Sequence, residues 1–329
     1  MVLREAVFGQ LCTVDDCIFT TWQPHPENVR DVRVRPHERN SPIPRHSPVL
    51  PSPPVKLPRL RTVLLAPLVL LALAWVALSI YVATMGAAVP EPVAARAPLA
   101  TIAILGASGT AGDGILEAAL ADPDVGTIRV ITRRITPRME EGIAAGRIEA
   151  TIHRDYVDYA DVREQLAGVD AVFWAIGLSS IGVDEDTYRE IHVAFPRAFI
   201  KEWLSIADTS AASFHYISSS DISADSRQMW ARVKVEAENT LFDLARGTRL
   251  RVIAYRPDYI RPTAAERHVG QNVLYWFFAP LGVAVEARQI GEAMLEVAAR
   301  GDEFENGDKL GTRRIIGYSE AYGLSRAGF

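Results

Sequence analysis

The sequence predicts an α/β fold with a doubly wound parallel sheet, and three observations carry that prediction. Short apolar runs alternate with amphipathic stretches from residue 101 onward. The first run leads at once into a turn with glycine at every third position, Gly106, Gly109 and Gly112, and that turn opens a helical pattern. The stretch shows neither an internal repeat nor a second block of independent size, so residues 101–329 are expected to form one domain. Alternating strands and helices argue a parallel sheet covered on both faces.

Six strands are expected: TIAIL (101–105), TIRVIT (127–132), IEATIH (148–153), DAVFWAI (170–176), SFHYIS (213–218) and LRVIAY (250–255). The segments GILEAALA, DVREQLAG, TYREIHVAFPRAFIKEWLSIA and ARVKVEAENTLFDLARG supply the intervening helices, and RQIGEAMLEVAAR a closing one.

Three zones precede this domain. Residues 1–61 are rich in proline and arginine, so the expectation is a disordered leader, or upstream sequence read from a start set too early. Residues 62–84 are expected to form a transmembrane helix: no charge interrupts Thr62 to Pro90, which exceeds the ~20 residues needed to cross a hydrocarbon core. A cleaved signal peptide competes, although the polar stretch ahead is long for one. Residues 85–100 are an Ala/Pro linker. Arg45, Lys56, Arg59 and Arg61 before the span outnumber Arg96 after it. Positive charge then places the N-terminus in the cytoplasm and the domain outside. The cofactor argued below places the domain in the cytoplasm instead, on a single-pass membrane protein; a soluble cytoplasmic protein is the alternative.

Composition excludes some classes. The 329 residues carry a net charge of −5, which gives no basic face for nucleic acid. Cys12 and Cys17 are the only cysteines, both in the leader, so the domain has no disulfide framework. No metal is expected, because no Cys/His pairs stand at ligand spacing.

The glycine turn is the strongest signal. Gly106 permits a sharp exit from the strand, Gly109 lets backbone approach a pyrophosphate, and Gly112 lets helix pack on sheet. The helix start offers unpaired N–H groups to phosphate, and Ser108 and Thr110 can add hydroxyls. The second strand ends in Arg133 and Arg134, where a site selective for an unphosphorylated ribose would carry Asp or Glu. Guanidinium groups suit a 2′-phosphate, so NADP(H) is favoured over NAD(H). Asp155 and Tyr156, past the third strand, are candidates to contact adenine. Ala175, Ile176 and Gly177 end the fourth strand and would lie along the dinucleotide.

At this point a family resemblance emerges. ILGASGTAG, VITRR, VFWAIG, FHYISSS, the lysine of MWARVKVEAE, and AYRPDYI follow one another in the order and spacing of the atypical short-chain dehydrogenase/reductases. In particular, they resemble the Tat-interacting-protein-like and NmrA-like branch, over roughly residues 100–305. The resemblance implies a Rossmann domain, with Gly106, Gly109 and Gly112 as its phosphate loop and Arg133 as its 2′-phosphate reader. It implies that Lys234 holds the nicotinamide ribose, that Ser219, between Ser218 and Ser220, orients a substrate carbonyl, and that Pro257 lies near the nicotinamide.

The family's catalytic tyrosine falls at position 230, and here it is Trp230. A phenol near a lysine can trade a proton, whereas an indole N–H only donates a hydrogen bond. Losing that acid removes a contribution of about 10²–10⁴-fold to carbonyl reduction without abolishing cofactor binding. Tyr259 is the better substitute acid, and Tyr216 is expected in the core. His192 is expected on a helix surface or satisfied within the fold. Two functions follow: a dinucleotide-sensing or assembly protein with weak or absent turnover, and an NADP(H)-dependent reductase or epimerase of a small carbonyl substrate. The partner is correspondingly another protein or that substrate. The apolar segment VLYWFFAPLGV, within the region expected to close the substrate pocket, is open to three readings: pocket wall, dimer surface or membrane-touching loop.

Overall fold

A computed structural model describes residues 60–93, 96–206, 212–265 and 268–327. The leader up to residue 59, with Cys12 and Cys17, lies outside the described residues. A long helix, α1 (Leu60–Met85), comes first. The domain then runs β1 (Leu99–Leu105), α2 (Thr110–Ala121), β2 (Val125–Thr132), α3 (Pro137–Ala144), β3 (Ile148–Ile152), α4 (Arg163–Leu166) and β4 (Ala171–Trp174). It continues with α5 (Glu185–Arg189), a π-helical turn (Glu190–Ala194), α6 (Phe195–Ile206), β5 (Ser213–Ile217), α7 (Met229–Ala245) and β6 (Arg251–Arg256). Last come β7 (Tyr259–Arg261), α8 (Val269–Phe278), β8 (Ala284–Glu286), α9 (Ala287–Ala299), β9 (Lys309–Gly311) and α10 (Thr312–Arg326).

Seven strands pair in the order β3-β2-β1-β4-β5-β6-β9, and every pairing is parallel. The six expected strands are all present, and β9 is an addition. The order reverses between β1 and β4, and in such sheets ligands bind at the carboxyl ends beside that reversal. β7 and β8 make a separate parallel pair beyond the main sheet.

Apolar side chains fill both faces, as a doubly wound sheet requires. On one face Ile102, Ile104, Ile128 and Val130 pack with Ile115, Ile290 and Met294. On the other Leu105, Val172 and Trp174 pack with Phe199, Trp203, Val233 and Leu241. The first face depends on two glycines the sequence reading did not use. A Cβ on Gly114 would overlap the backbone of Ala287, and one on Gly291 would come within 2.7 Å of Ile115 Cα. Bare backbone there lets α2 and α9 touch.

All of α1 and the domain belong to one unit, Pro58–Phe329. Leu65–Met85 is long and apolar enough to cross a membrane, and none of that window is buried. Its less exposed side chains are Trp75, Ser79 and Val82, one stripe of the helix. The segment after it is anchored along its length. Arg313 donates to the Gly86 carbonyl, Arg300 Nη2 donates to Glu91 O at 2.9 Å, and Ala97 N donates to Ala299 O at 2.7 Å. Arg96 pairs with the fully buried Glu296, which Arg300 also holds at 2.9 Å. β1 accordingly begins at Leu99 rather than Thr101.

Candidate functional site

The loop between β1 and α2 carries Gly106 and Gly109, and Gly112 lies in the first turn of α2; packing makes different demands on each. Gly106 has φ +85°, and a Cβ there would lie 2.5 Å from the Ala175 carbonyl carbon at the exit of β4. A Cβ on Gly112 would overlap Gly106 itself. Gly109 is different: its φ is −104°, and an added Cβ would find nothing closer than 3.5 Å. The protein's own atoms therefore do not require glycine at 109. It is also the N-cap of α2, and no side chain caps that helix. Uncapped first-turn N–H groups attract an anion. Ser108 is partly buried and Thr110 exposed, and neither hydroxyl has a partner among the described residues.

A buried carboxylate, Asp113, follows in the first turn. It is neutralised, because Arg138 binds it at 2.7 and 3.1 Å and Thr263 donates to it. Arg138 also meets Glu117 at 3.0 Å. Arg133 and Arg134 are exposed, and neither forms an ion pair among the described residues. Asp155 is exposed, its carboxylate accepting from Val157 N at 3.1 Å. Tyr156 turns inward instead, with its ring stacked on Phe195 at 5.4 Å. Burial pushes its phenol up, and the charge of Arg133 opposes that shift.

The other side of the order reversal is built from the ends of β4, β5 and β6. Ala175 N donates to Leu105 O at 2.8 Å, holding the fourth strand's exit beside the first's. A Cβ on Gly177 would come within 2.8 Å of His192 Cε1. His192 comes from the π turn and is 2% exposed. Its Nε2 lies 3.4 Å from Leu178 O, and its Nδ1 has no partner. Burial, aided by the charge of Lys234, pushes its basicity far down. The histidine thus lies inside the fold and not on a helix surface. A π turn inserted in a helix often marks a functional site, but nothing in a single sequence announces one.

Lys234 is buried on α7. Its ammonium donates to Ile217 O at 3.1 Å and lies 3.4 Å from the Tyr216 hydroxyl. Burial brings its pKa down to about 7, against the pull of Glu238 one turn later. Arg256 holds Glu238 in a two-pronged pair, 2.8 Å on its Nε side. Tyr216 is wholly buried and donates to His192 O at 3.3 Å. Tyr259, the substitute acid favoured by the sequence, sits on β7 and donates to Gln271 O at 3.2 Å. Trp230, in the first turn of α7, is half-buried and packs against the edge of the core.

The serine run closes this end. Ser218 N donates to Tyr255 O at 2.7 Å and Ser220 N to Pro257 O at 3.1 Å, so the serine and Arg-Pro turns lie together. Ser219, between them, is partly buried, and Pro257 is buried. Ser218 Oγ is buried without a partner. No group of three His, Cys, Asp or Glu side chains could hold a metal ion among the described residues.

Solved structures share this architecture. The chain is similar to a 3-oxoacyl-[acyl-carrier protein] reductase from Brucella melitensis in complex with NAD, at 16% identity and a TM-score of 0.52 over 66% of this chain and 96% of that one. It is similar to BdcA in complex with NADPH, at 15% identity and 0.50 over 64% and 91%. A UDP-glucuronic acid 4-epimerase from Bacillus cereus in complex with NAD matches at 12% and 0.50 over 64% and 76%. The fold is therefore that of the short-chain dehydrogenase/reductases. No family model matches the chain, and no curated protein matches it.

Proposed function

We propose that this chain is an NADP(H)-binding protein, tethered to a membrane by α1, in which catalysis is weak or absent and the bound dinucleotide is sensed or used in assembly. One observation carries the binding: Gly109 is glycine at a position where the protein's own packing has no need of it. The residues fit the group. The uncapped start of α2, with Ser108 and Thr110, would hold the pyrophosphate. The unpaired Arg133 and Arg134 would hold a 2′-phosphate, with Asp155 at the adenine end. Ala175, Gly177 and Pro257 would line the nicotinamide end, where Lys234 would hold the ribose. A bound nicotinamide supplies or accepts hydride.

Proton supply is what this chain lacks. Trp230 occupies the tyrosine's place and cannot release a proton. Tyr216 touches Lys234, but it is sealed in the core, and burial pushes its phenol well above its ordinary value. Ser219 remains to orient a carbonyl, without a phenol to protonate it.

One observation favours a second reading, an active reductase or epimerase of a small carbonyl compound. The Lys234 ammonium stands 3.1 Å from the carbonyl of Ile217, next to the serine run, and burial lowers its pKa to about 7, so it could serve as the substitute acid. The test uses the full chain in detergent: titration with NADPH and NADH, then NADPH oxidation across a carbonyl panel. Tighter binding of NADPH with negligible oxidation supports the sensing reading. Brisk oxidation, with a pH profile breaking near 7, supports the second, and no binding of either dinucleotide overturns both.

A further inference from the structure

The helix α8 carries an apolar face that the described residues leave largely uncovered, with Phe277 at its end meeting α1. Val273, Trp276 and Phe277 are 63%, 69% and 49% exposed, and no residue of α8 is buried. In water such a face marks a contact surface. The polar side chains of the helix are less exposed and engage neighbouring residues of the domain. Asn272 accepts from Arg261 at 3.0 Å, Gln271 accepts from His268 N at 2.9 Å, and Tyr275 lies under the Arg261 guanidinium at 4.4 Å. The outward face thus carries no charged side chain, and its one polar group is the indole N–H of Trp276, a residue common on the inserted face of interfacial helices.

The end of α8 is seated against α1. Trp75 Nε1 donates to Phe277 O at 3.1 Å, and the two rings stack at 5.9 Å. Farther along α1, Val82 meets Gly282. At the end of α1, Arg313 donates to the carbonyl of Gly86, and Arg314 is its neighbour in sequence. Guanidinium groups at a span's end suit the level of lipid phosphates. From Gly86 back to Trp75 the helix rises about 16 Å. A headgroup layer occupies roughly 5–8 Å of that. Phe277 would then lie about 10 Å into the acyl region, the depth reached by interfacial helices.

We infer that α8 inserts its Val273, Trp276 and Phe277 face into the same leaflet as the C-terminal half of α1, with phospholipid acyl chains as the occupant of that face. This rests on the reading that α1 spans a bilayer. Continuity with the apolar surface of α1 favours lipid over a second copy of the chain.

The test uses the full chain with Cys12→Ser and Cys17→Ser, reconstituted in vesicles of phosphatidylcholine and phosphatidylglycerol. Single cysteines are introduced by Val273→Cys or Trp276→Cys on α8, Leu70→Cys on α1, or Ile181→Cys, which is 85% exposed on the domain. Each is labelled with a polarity-sensitive fluorophore and challenged with lipids spin-labelled on the acyl chain. Quenching at both α8 sites, comparable to that at Leu70→Cys and absent at Ile181→Cys, is expected. Either α8 variant serves if the other fails to reconstitute. Quenching at Leu70→Cys with none on α8 overturns the inference and leaves the span intact. Silence at Leu70→Cys and on α8 overturns both. A blue-shifted, unquenched α8 signal that fades as protein is diluted into more lipid identifies a second copy as the occupant and also overturns it.

Discussion

Lys234 Nζ stands 3.4 Å from the hydroxyl of Tyr216, so the lysine has a phenol for company although position 230 is tryptophan. The pair is assembled from α7 and β5 and lies below the surface. Tyr216 spends its proton on the carbonyl of His192, and Lys234 spends one on Ile217. The lysine is thereby fixed in place while burial lowers its basicity.

That placement has a pH signature. Folded Lys234 titrates at about 7, whereas the free side chain titrates at 10.5. Between those values the unfolded chain holds a proton that the folded chain does not, so stability rises with pH. The contribution is complete above the unfolded value and is lost as pH falls through the folded one. The melting temperature of the dinucleotide-free chain should climb between about pH 7 and pH 9 relative to that of Lys234→Met. Parallel curves for the two proteins would show that the lysine does not titrate there.

The three glycines should separate stability from binding. Gly112→Ala sets a methyl against Gly106 and should lower the melting temperature sharply or prevent folding. Gly109→Ala has an allowed backbone and room, so the melting temperature should fall only slightly, through the poorer N-cap, while dinucleotide binding is lost. Calorimetry with NADPH titration checks both.

Arg133→Ala should weaken NADPH far more than NADH. A hydrogen bond to a charged group is worth about 1.5–3 kcal/mol, which is roughly 10–100-fold in affinity. Equal losses for the two cofactors would show that Arg133 does not read the 2′-phosphate. Arg138→Ala should act differently, through stability, because it uncovers the buried Asp113.

Trp230→Tyr places a phenol one helical turn before Lys234. A restored general acid should raise carbonyl reduction by about 10²–10⁴-fold if the rest of the site is intact. Initial rates with NADPH, at matched cofactor saturation, measure this. No gain would mean that the substrate side has also diverged.

The six long strands and the glycine loop were legible because burial on both faces leaves continuous apolar runs and because bare backbone has few uses. β7, β8 and β9 were not: each has only three residues, too few to show a period. The helix α10 was missed although Ile315, Tyr318 and Tyr322 mark its buried face, because arginine, serine and glycine dilute the pattern. At the site, Lys234 and the serine turn could be placed by order along the chain. The Tyr216–Lys234 contact could not, since it joins a strand to a helix 18 residues on. Of the two readings of His192, the one inside the fold holds; the sequence could not choose between them, because the π turn shifts the helix's facing partway along its length.

Arg313, Arg300, Arg96 and Ala299 grip the stretch from Gly86 to Ala97 at successive points. The connection between α1 and the first sheet strand is consequently a strut and not a leash. With α1 spanning a bilayer as proposed, the domain would ride at a set height and tilt above it, with the carboxyl ends of its strands offered at one constant angle to whatever diffuses past.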